Sequence, residues 1–256
     1  MKKKNIQIIV KFFWPVAAGI ETNILETYSV LAKKGWDINV HTSVHSLTEK
    51  NVFKKREKIR GINIERSEFK KYLINGDIDF DKTDIVAMHN FDVLPHFLIM
   101  TKTLIRKIFG KKNYKLFLTP HGGFNPEWRI FPKHVALAKK LYHFTIGTLL
   151  INLSVDGVRA VSEWERQEII KKGVNPKKVV TISNGLEDEA YMDIDKLASD
   201  EIKEKVQKFG RYIIQIGRVY MIKNYETTIR ALTYVPSDLK YIIAGPIADE
   251  SYKKSL

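Results

Sequence analysis

Cysteine is absent from all 256 residues, which excludes a disulfide framework, thiolate zinc or iron–sulfur centres, and a cysteine nucleophile. Long apolar runs are missing as well. The longest charge-free stretch, Leu141 to Val155, has 15 residues, where a membrane span needs about 20, and His143, Thr145, Gly147, Thr148, Asn152 and Ser154 interrupt it. The dinucleotide fingerprint Gly-x-Gly-x-x-Gly does not occur, which argues against a nicotinamide or flavin enzyme. No His pair shows ligand spacing on one predicted helix, and Asp77-Ile78-Asp79-Phe80-Asp81 lacks the glycine turn and convergent oxygens of a hard-cation loop. Lys2 to Lys4 before Ile6–Val10 resemble a signal peptide, but Lys11 ends the run and no small-x-small cleavage site follows. The segment reads as a buried first strand, and the expected location is cytoplasmic.

What remains is a globular, basic chain. Hydrophobic residues make up 44% and the net charge is +14, which favours acidic partners such as nucleotides, phosphorylated sugars or an anionic membrane without choosing among them. Strand-length apolar runs alternate with helix-length periodic segments. Strands are expected at 6–12, 36–42, 61–65, 84–88, 116–119, 157–161, 179–182, 211–217 and 241–244. Helices are expected at 20–35, 94–109, 134–153 with a break near Gly147, 162–172 and 225–232. Ser162 and Glu165 read as a capping box, and the charge-dense stretch 49–71 reads as a solvated face. This alternation predicts an α/β fold with a doubly wound, open parallel sheet. The expected division is residues 1–186 as a first domain, 187–208 as a linker with a short helix, and 209–256 as the start of a second, incomplete domain.

In such sheets ligands sit beyond the carboxyl ends of the strands. Pro15 to Glu21 forms a small-residue turn into a helix N-terminus, either an anion site or a tight turn packed for its own sake. Thr119-Pro120-His121-Gly122-Gly123 puts an imidazole beside two glycines at a strand end; it is a site, or a turn whose His packs on Trp128 or Phe131. Arg218 and Lys223 flank one strand-to-helix loop, where they would neutralise a diphosphate or simply be solvated. The helix at 94–109 pairs an apolar face with Lys102, Arg106 and Lys107, which suits packing alone or packing plus an anionic membrane surface.

These segments, in this order, resemble the family 4 retaining glycosyltransferases of the GT-B fold. The resemblance rests on Pro15 to Glu21, Asp84 to Asn90, Thr119-Pro120-His121-Gly122, Val161 to Glu165, Ile182 to Gly185, Gly217-Arg218 with Lys223-Asn224, and Ala244-Gly245-Pro246. It implies two Rossmann-like domains and transfer of a sugar from a nucleotide-diphosphate donor to a glycan or lipid-linked acceptor, with retained anomeric configuration. No metal or other cofactor is implied. His121 matches the family's active-site histidine, Gly19, Arg218 and Lys223 match the donor side, and Glu21 and His89 are taken as acceptor-side. His121 is expected in the cleft between the domains, exposed to the sugar. Two departures stand out: Ala18 replaces the family's first glycine, and the chain ends before the family's Glu-x7-Glu motif, so weak turnover and an exposed apolar patch are expected. Two other readings stay open. A catalytically silent binding module would keep the fold and lose turnover. A nucleic-acid-binding protein would bind random DNA with steep salt dependence, but no recognised motif supports it.

Overall fold

The structure, a computed structural model, describes residues 4–16, 18–45, 53–74, 78–186 and 188–256; Asp77 of the acidic triplet lies outside them. The chain divides into two compact units, Met1–Leu186 and Glu187–Leu256.

The first unit runs β1 (Asn5–Ile9), α1 (Gly19–Lys33), β2 (Asp37–Ser43), β3 (Arg56–Ile59), β4 (Ile62–Ser67), α2 (Phe69–Leu73), β5 (Ile85–His89), α3 (His96–Ile108), β6 (Lys115–Thr119), α4 (Lys133–Phe144), α5 (Ile146–Ser154), β7 (Gly157–Ala160), α6 (Glu163–Lys171) and β8 (Val179–Thr181). The eight strands form one sheet in the order β3-β4-β2-β1-β5-β6-β7-β8. Alternation along the strands divides its core. Ile6, Ile8 and Val10 meet Ile24 and Leu25 of α1 in one cluster, while Ile9, Val86 and Met88 meet Ile99 of α3 and Ile151 of α5 in another. Apolar residues on both faces are what a parallel sheet with helical cover demands.

One expectation is corrected. The stretch 49–71 is not just a solvated face with one strand: β3 pairs antiparallel with β4, so the sheet is not wholly parallel. Arg60 at φ 47° and Gly61 at φ 85° make the tight turn between them. β3 is an edge strand whose charges block further pairing, and those charges hide it from a hydrophobicity reading. The break expected near Gly147 is present: 134–153 is two helices that meet at Thr145, with φ −125° and ψ −99°. Gly147 sits just inside α5, where an added Cβ would lie 2.9 Å from both the Tyr142 ring and its carbonyl.

The second unit contains α7 (Ile194–Leu197), α8 (Asp200–Gln207), β9 (Tyr212–Ile216), α9 (Tyr225–Ala231), β10 (Lys240–Ala244) and α10 (Glu250–Ser255). β9 and β10 pair in parallel. Val219, Tyr225 and Tyr252 form its small core, while Ile213, Ile214 and Ile216 of β9 are exposed. Among the described residues no helix is long and apolar enough to cross a membrane.

Gly147→Ala is expected to lower stability by about 1–3 kcal/mol, because the added methyl overpacks the α4–α5 corner. Urea denaturation checks this, and an unchanged midpoint would show that the corner has room.

Candidate active site

The site of the first unit is built on neighbouring strand ends. β5 and β6 pair in register with His89 opposite Thr119, so the residues leaving both strands emerge side by side. Beyond β6, His121 at φ 51° and Gly122 at φ 80° are both left-handed. This turn brings the His121 ring over His89, the rings 5.2 Å apart and inclined by 21°. His121 Nε2 and His89 Nδ1 are 2.9 Å apart and share one hydrogen bond. On its other side His89 Nε2 lies 3.2 Å from the Tyr28 hydroxyl of α1. His89 is buried and both its nitrogens have protein partners. It therefore supports His121 and has little surface for an acceptor.

Burial holds the His89 imidazole well below its ordinary pKa, with His121 and the Arg159 guanidinium adding to the effect. Burial and then Arg159 lower His121 to about 4. Burial raises Tyr28 to about 12. Near pH 7 both rings are neutral and the phenol keeps its proton, so the chain of hydrogen bonds has two consistent polarities. If Tyr28 donates to His89, then His89 donates to His121 and the outer nitrogen of His121 carries the proton. In the reverse polarity that nitrogen is a free acceptor. Tyr28 thus couples the buried end of the chain to the chemistry His121 offers.

Glu165 fixes the loop from behind. The buried carboxylate accepts the Gly122 N–H at 2.5 Å and the Val161 N–H at 2.7 Å. Ser162 caps α6 as expected, its Oγ accepting the Glu165 N–H at 3.1 Å. The second half of the expected capping box is corrected: the carboxylate takes the amide before the cap and reaches across to the β6 loop. Gly123 also has a role other than ligand approach, since a Cβ there would lie 2.8 Å from the Phe91 nitrogen. Phe91 itself stacks between Phe124 and His143, each ring 4.5 Å away, so His121 does not pack into this aromatic cluster.

Sequence reasoning missed three participants. Arg159 of β7 donates to the Ile182 and Ser183 carbonyls and to the Asn184 side chain at 2.9–3.1 Å, and reaches Asn23 of α1 at 3.4 Å. Its signal was a lone cation inside an apolar strand. Tyr28 read only as an apolar helix position, and Glu165 only as a cap. Gly19 begins α1, and nothing lies within 4 Å of where its Cβ would be. The fold does not need glycine there, so the space at this helix N-terminus is left open. Glu21 is buried in the first turn, where the helix dipole favours a carboxylate.

In the second unit Arg218 follows β9 and Lys223 closes a 3-10 turn over Met221–Lys223. The Tyr225 hydroxyl donates to the Gly217 and Arg218 carbonyls at 2.9 and 3.2 Å, and Gln215 donates to the Lys223 carbonyl at 2.9 Å. The Lys223 side chain passes 3.3 Å from a Cβ position at Gly217, so both cations belong to one small loop. Neither has an ion-pair partner among the described residues.

A profile described as Glycosyltransferase Family 4 matches residues 17–190, and the chain belongs to that family. An uncharacterized glycosyltransferase of Methanocaldococcus jannaschii is 32% identical over 161 residues, 59% of this chain and 38% of the relative. Among solved structures, Anabaena HepE in complex with UDP-glucose superposes with TM-score 0.65 at 12% identity, covering 98% of this chain and 64% of HepE. A UDP-forming α,α-trehalose-phosphate synthase from Burkholderia vietnamiensis gives TM-score 0.57 at 9% identity, covering 99% of this chain and 68% of the synthase. The fold is GT-B, as the resemblance implied, and the chain spans just under two thirds of HepE.

Two outcomes follow from this geometry. His89, His96, His121 and His143 are all held neutral in the fold by burial, the last three lowered to about 4. Unfolded, each returns to about 6.5. Their contribution to stability is full above that value and is lost as pH falls from about 6.5 toward 4. Denaturation across this window should show uptake of roughly three to four protons on unfolding near pH 5; a flat profile would contradict the buried neutral assignment. Glu165→Ala leaves two backbone amides without their acceptor and should cost about 2–5 kcal/mol, with Glu165→Gln, which keeps one acceptor oxygen, costing less. Equal midpoints for all three proteins would remove the clamp.

Proposed function

We propose that the chain is the sugar-facing unit and part of the donor-binding unit of a glycosyltransferase that moves a sugar from a nucleotide diphosphate to a glycan or lipid-linked acceptor, retaining the anomeric configuration. The observation that carries this reading is the neutral imidazole of His121, fixed at the carboxyl edge of a parallel sheet by His89 and the Glu165 clamp. A neutral ring with one oriented outer nitrogen suits a hydrogen bond to a sugar hydroxyl. It would not place a competing positive charge beside the anomeric carbon, where positive charge develops on bond cleavage.

Arg218 and Lys223 would meet the opposite charge. As the sugar–phosphate bond breaks, negative charge collects on the departing diphosphate. Two cations without acidic partners in one loop can stabilise it, Arg through paired N–H bonds and Lys as a point charge. In this reading they do the work a divalent ion does elsewhere, so no metal is required. The open space at Gly19 would admit the donor phosphate or sugar close to the α1 N-terminus. HepE bound to UDP-glucose and the UDP-forming synthase support UDP as the first nucleotide to test.

Calorimetric titration with UDP tests the donor half. Arg218→Ala should weaken binding by about 1.5–3 kcal/mol, roughly 10- to 150-fold, with Lys223→Ala close behind. Unchanged affinity in both would reject the diphosphate role. Gly19→Ala should leave the melting temperature unchanged while lowering transfer; equal transfer would mean that no donor comes near this turn. With an α-linked donor, an NMR spectrum of a β-linked product would refute retention.

A further inference from the structure

On one side of the first unit α5 packs against both α3 and α4, and their inner residues, among them Ile99, Tyr142 and Ile151, belong to one core cluster. Their outer surface is not polar. Ile108 and Phe109 at the end of α3 are 70% and 71% exposed, Leu141 and Phe144 of α4 58% and 54%, and Leu149 and Leu153 of α5 56% and 41%. Two lysines tie parts of this surface together. Lys107 Nζ donates to the Leu153 carbonyl at 2.9 Å, which ties the C-terminal ends of α3 and α5, and Lys172 Nζ lies 4.1 Å from the Phe144 ring centre. Scattered exposed apolar residues are ordinary, but six of them concentrated on three helices that pack together point to an interaction site.

Charge beside this face indicates what covers it. A cavity of about 410 Å³ is lined by Lys107, Lys112, Lys115 and Asp84, together with the 110–114 turn that leaves α3. Lys178 reaches the same corner, donating to the Asn152 and Val155 carbonyls at the end of α5, and Lys111 is exposed in the turn. Five lysines and Arg106 face three carboxylates there: Asp84, Asp81 paired with Arg106, and Asp156 paired with Lys112 and 3.8 Å from Lys115. A wide apolar face joined to a basic hollow matches the two parts of a charged lipid, acyl chains and phosphate.

We propose that this face docks on an anionic phospholipid bilayer, with Ile108, Phe109, Leu149 and Leu153 entering the acyl boundary and a headgroup phosphate entering the Lys107–Lys112–Lys115 cavity. The proposal goes beyond the sugar-transfer reading and does not depend on it. It also moves the contact from the whole helix at 94–109 to its C-terminal end and to α4 and α5, because the middle of α3 is spent on the core: Ile99, Met100 and Thr103 are buried.

The test is co-sedimentation of the full chain with vesicles of phosphatidylcholine alone and of an equal mixture with phosphatidylglycerol. The expected result is at least tenfold stronger partition to the anionic vesicles, lost at about 1 M salt, where the screening length falls to about 3 Å. Ile108→Ser/Phe109→Ser should reduce it tenfold or more, and Lys112→Gln/Lys115→Gln should remove most of the anionic preference. Phe109→Trp gives an independent readout, its emission shifting to the blue only with anionic vesicles. Equal partition to neutral vesicles, no binding, or wild-type binding by the double serine variant would overturn the proposal. So would a concentration-dependent dimer that the serine variant abolishes while vesicles are ignored, which would assign the face to a second copy of the chain.

Discussion

The hydrogen bond between His89 and His121 is the constraint around which the first unit's site is arranged. It requires β5 and β6 to end level, which their register provides. It requires the chain to turn sharply beyond β6, which the two left-handed residues His121 and Gly122 provide. It requires that turn to stay put, which the Glu165 carboxylate and the close fit of Gly123 on Phe91 provide. Neither ring can readily charge, because burial and the Arg159 guanidinium disfavour a proton on both. A pair of neutral imidazoles in one hydrogen-bonded line is therefore an orienting device, with Tyr28 at its inner end, more than an acid–base couple.

Much of this was legible in the sequence, for identifiable reasons. The buried strands announced themselves because a doubly covered sheet needs continuous apolar runs such as Ile6–Val10. The strand-end position of His121 was legible because a glycine pair after such a run marks a loop, and that of Arg218 and Lys223 because they flank another. β3 was not legible, since an edge strand is protected by the charges that hide it. Arg159, Tyr28 and Glu165 were not legible as site residues because their partners come from other elements: Arg159 meets Asn23, 136 positions earlier, and Tyr28 meets His89, 61 positions later. Local pattern carries no trace of such pairings. The helix break near Gly147 was legible, since a glycine inside an apolar helical run signals a corner, and the chain turns at Thr145 beside it.

In the proposed reading the two units would divide the chemistry by charge. The first offers neutral hydrogen-bonding groups at a sheet edge; the second offers two cations held in one loop by Tyr225 and Gln215. For transfer of a sugar from a diphosphate this division is physically sensible, because opposite charges develop on the sugar and on the leaving group. Family membership rests on the match over residues 17–190, while the assignment of roles rests on this complementarity.

The most direct test of the account is the ionisation of His121, followed by long-range proton–nitrogen NMR on protein labelled with nitrogen-15 in histidine. The account predicts a neutral His121 ring from pH 8 down to about 5, with protonation only near pH 4, and a changed tautomer balance in Tyr28→Phe, which removes the inner end of the hydrogen-bonded chain. Titration of His121 near its ordinary value of about 6.5, or a tautomer balance that Tyr28→Phe leaves unchanged, would contradict it.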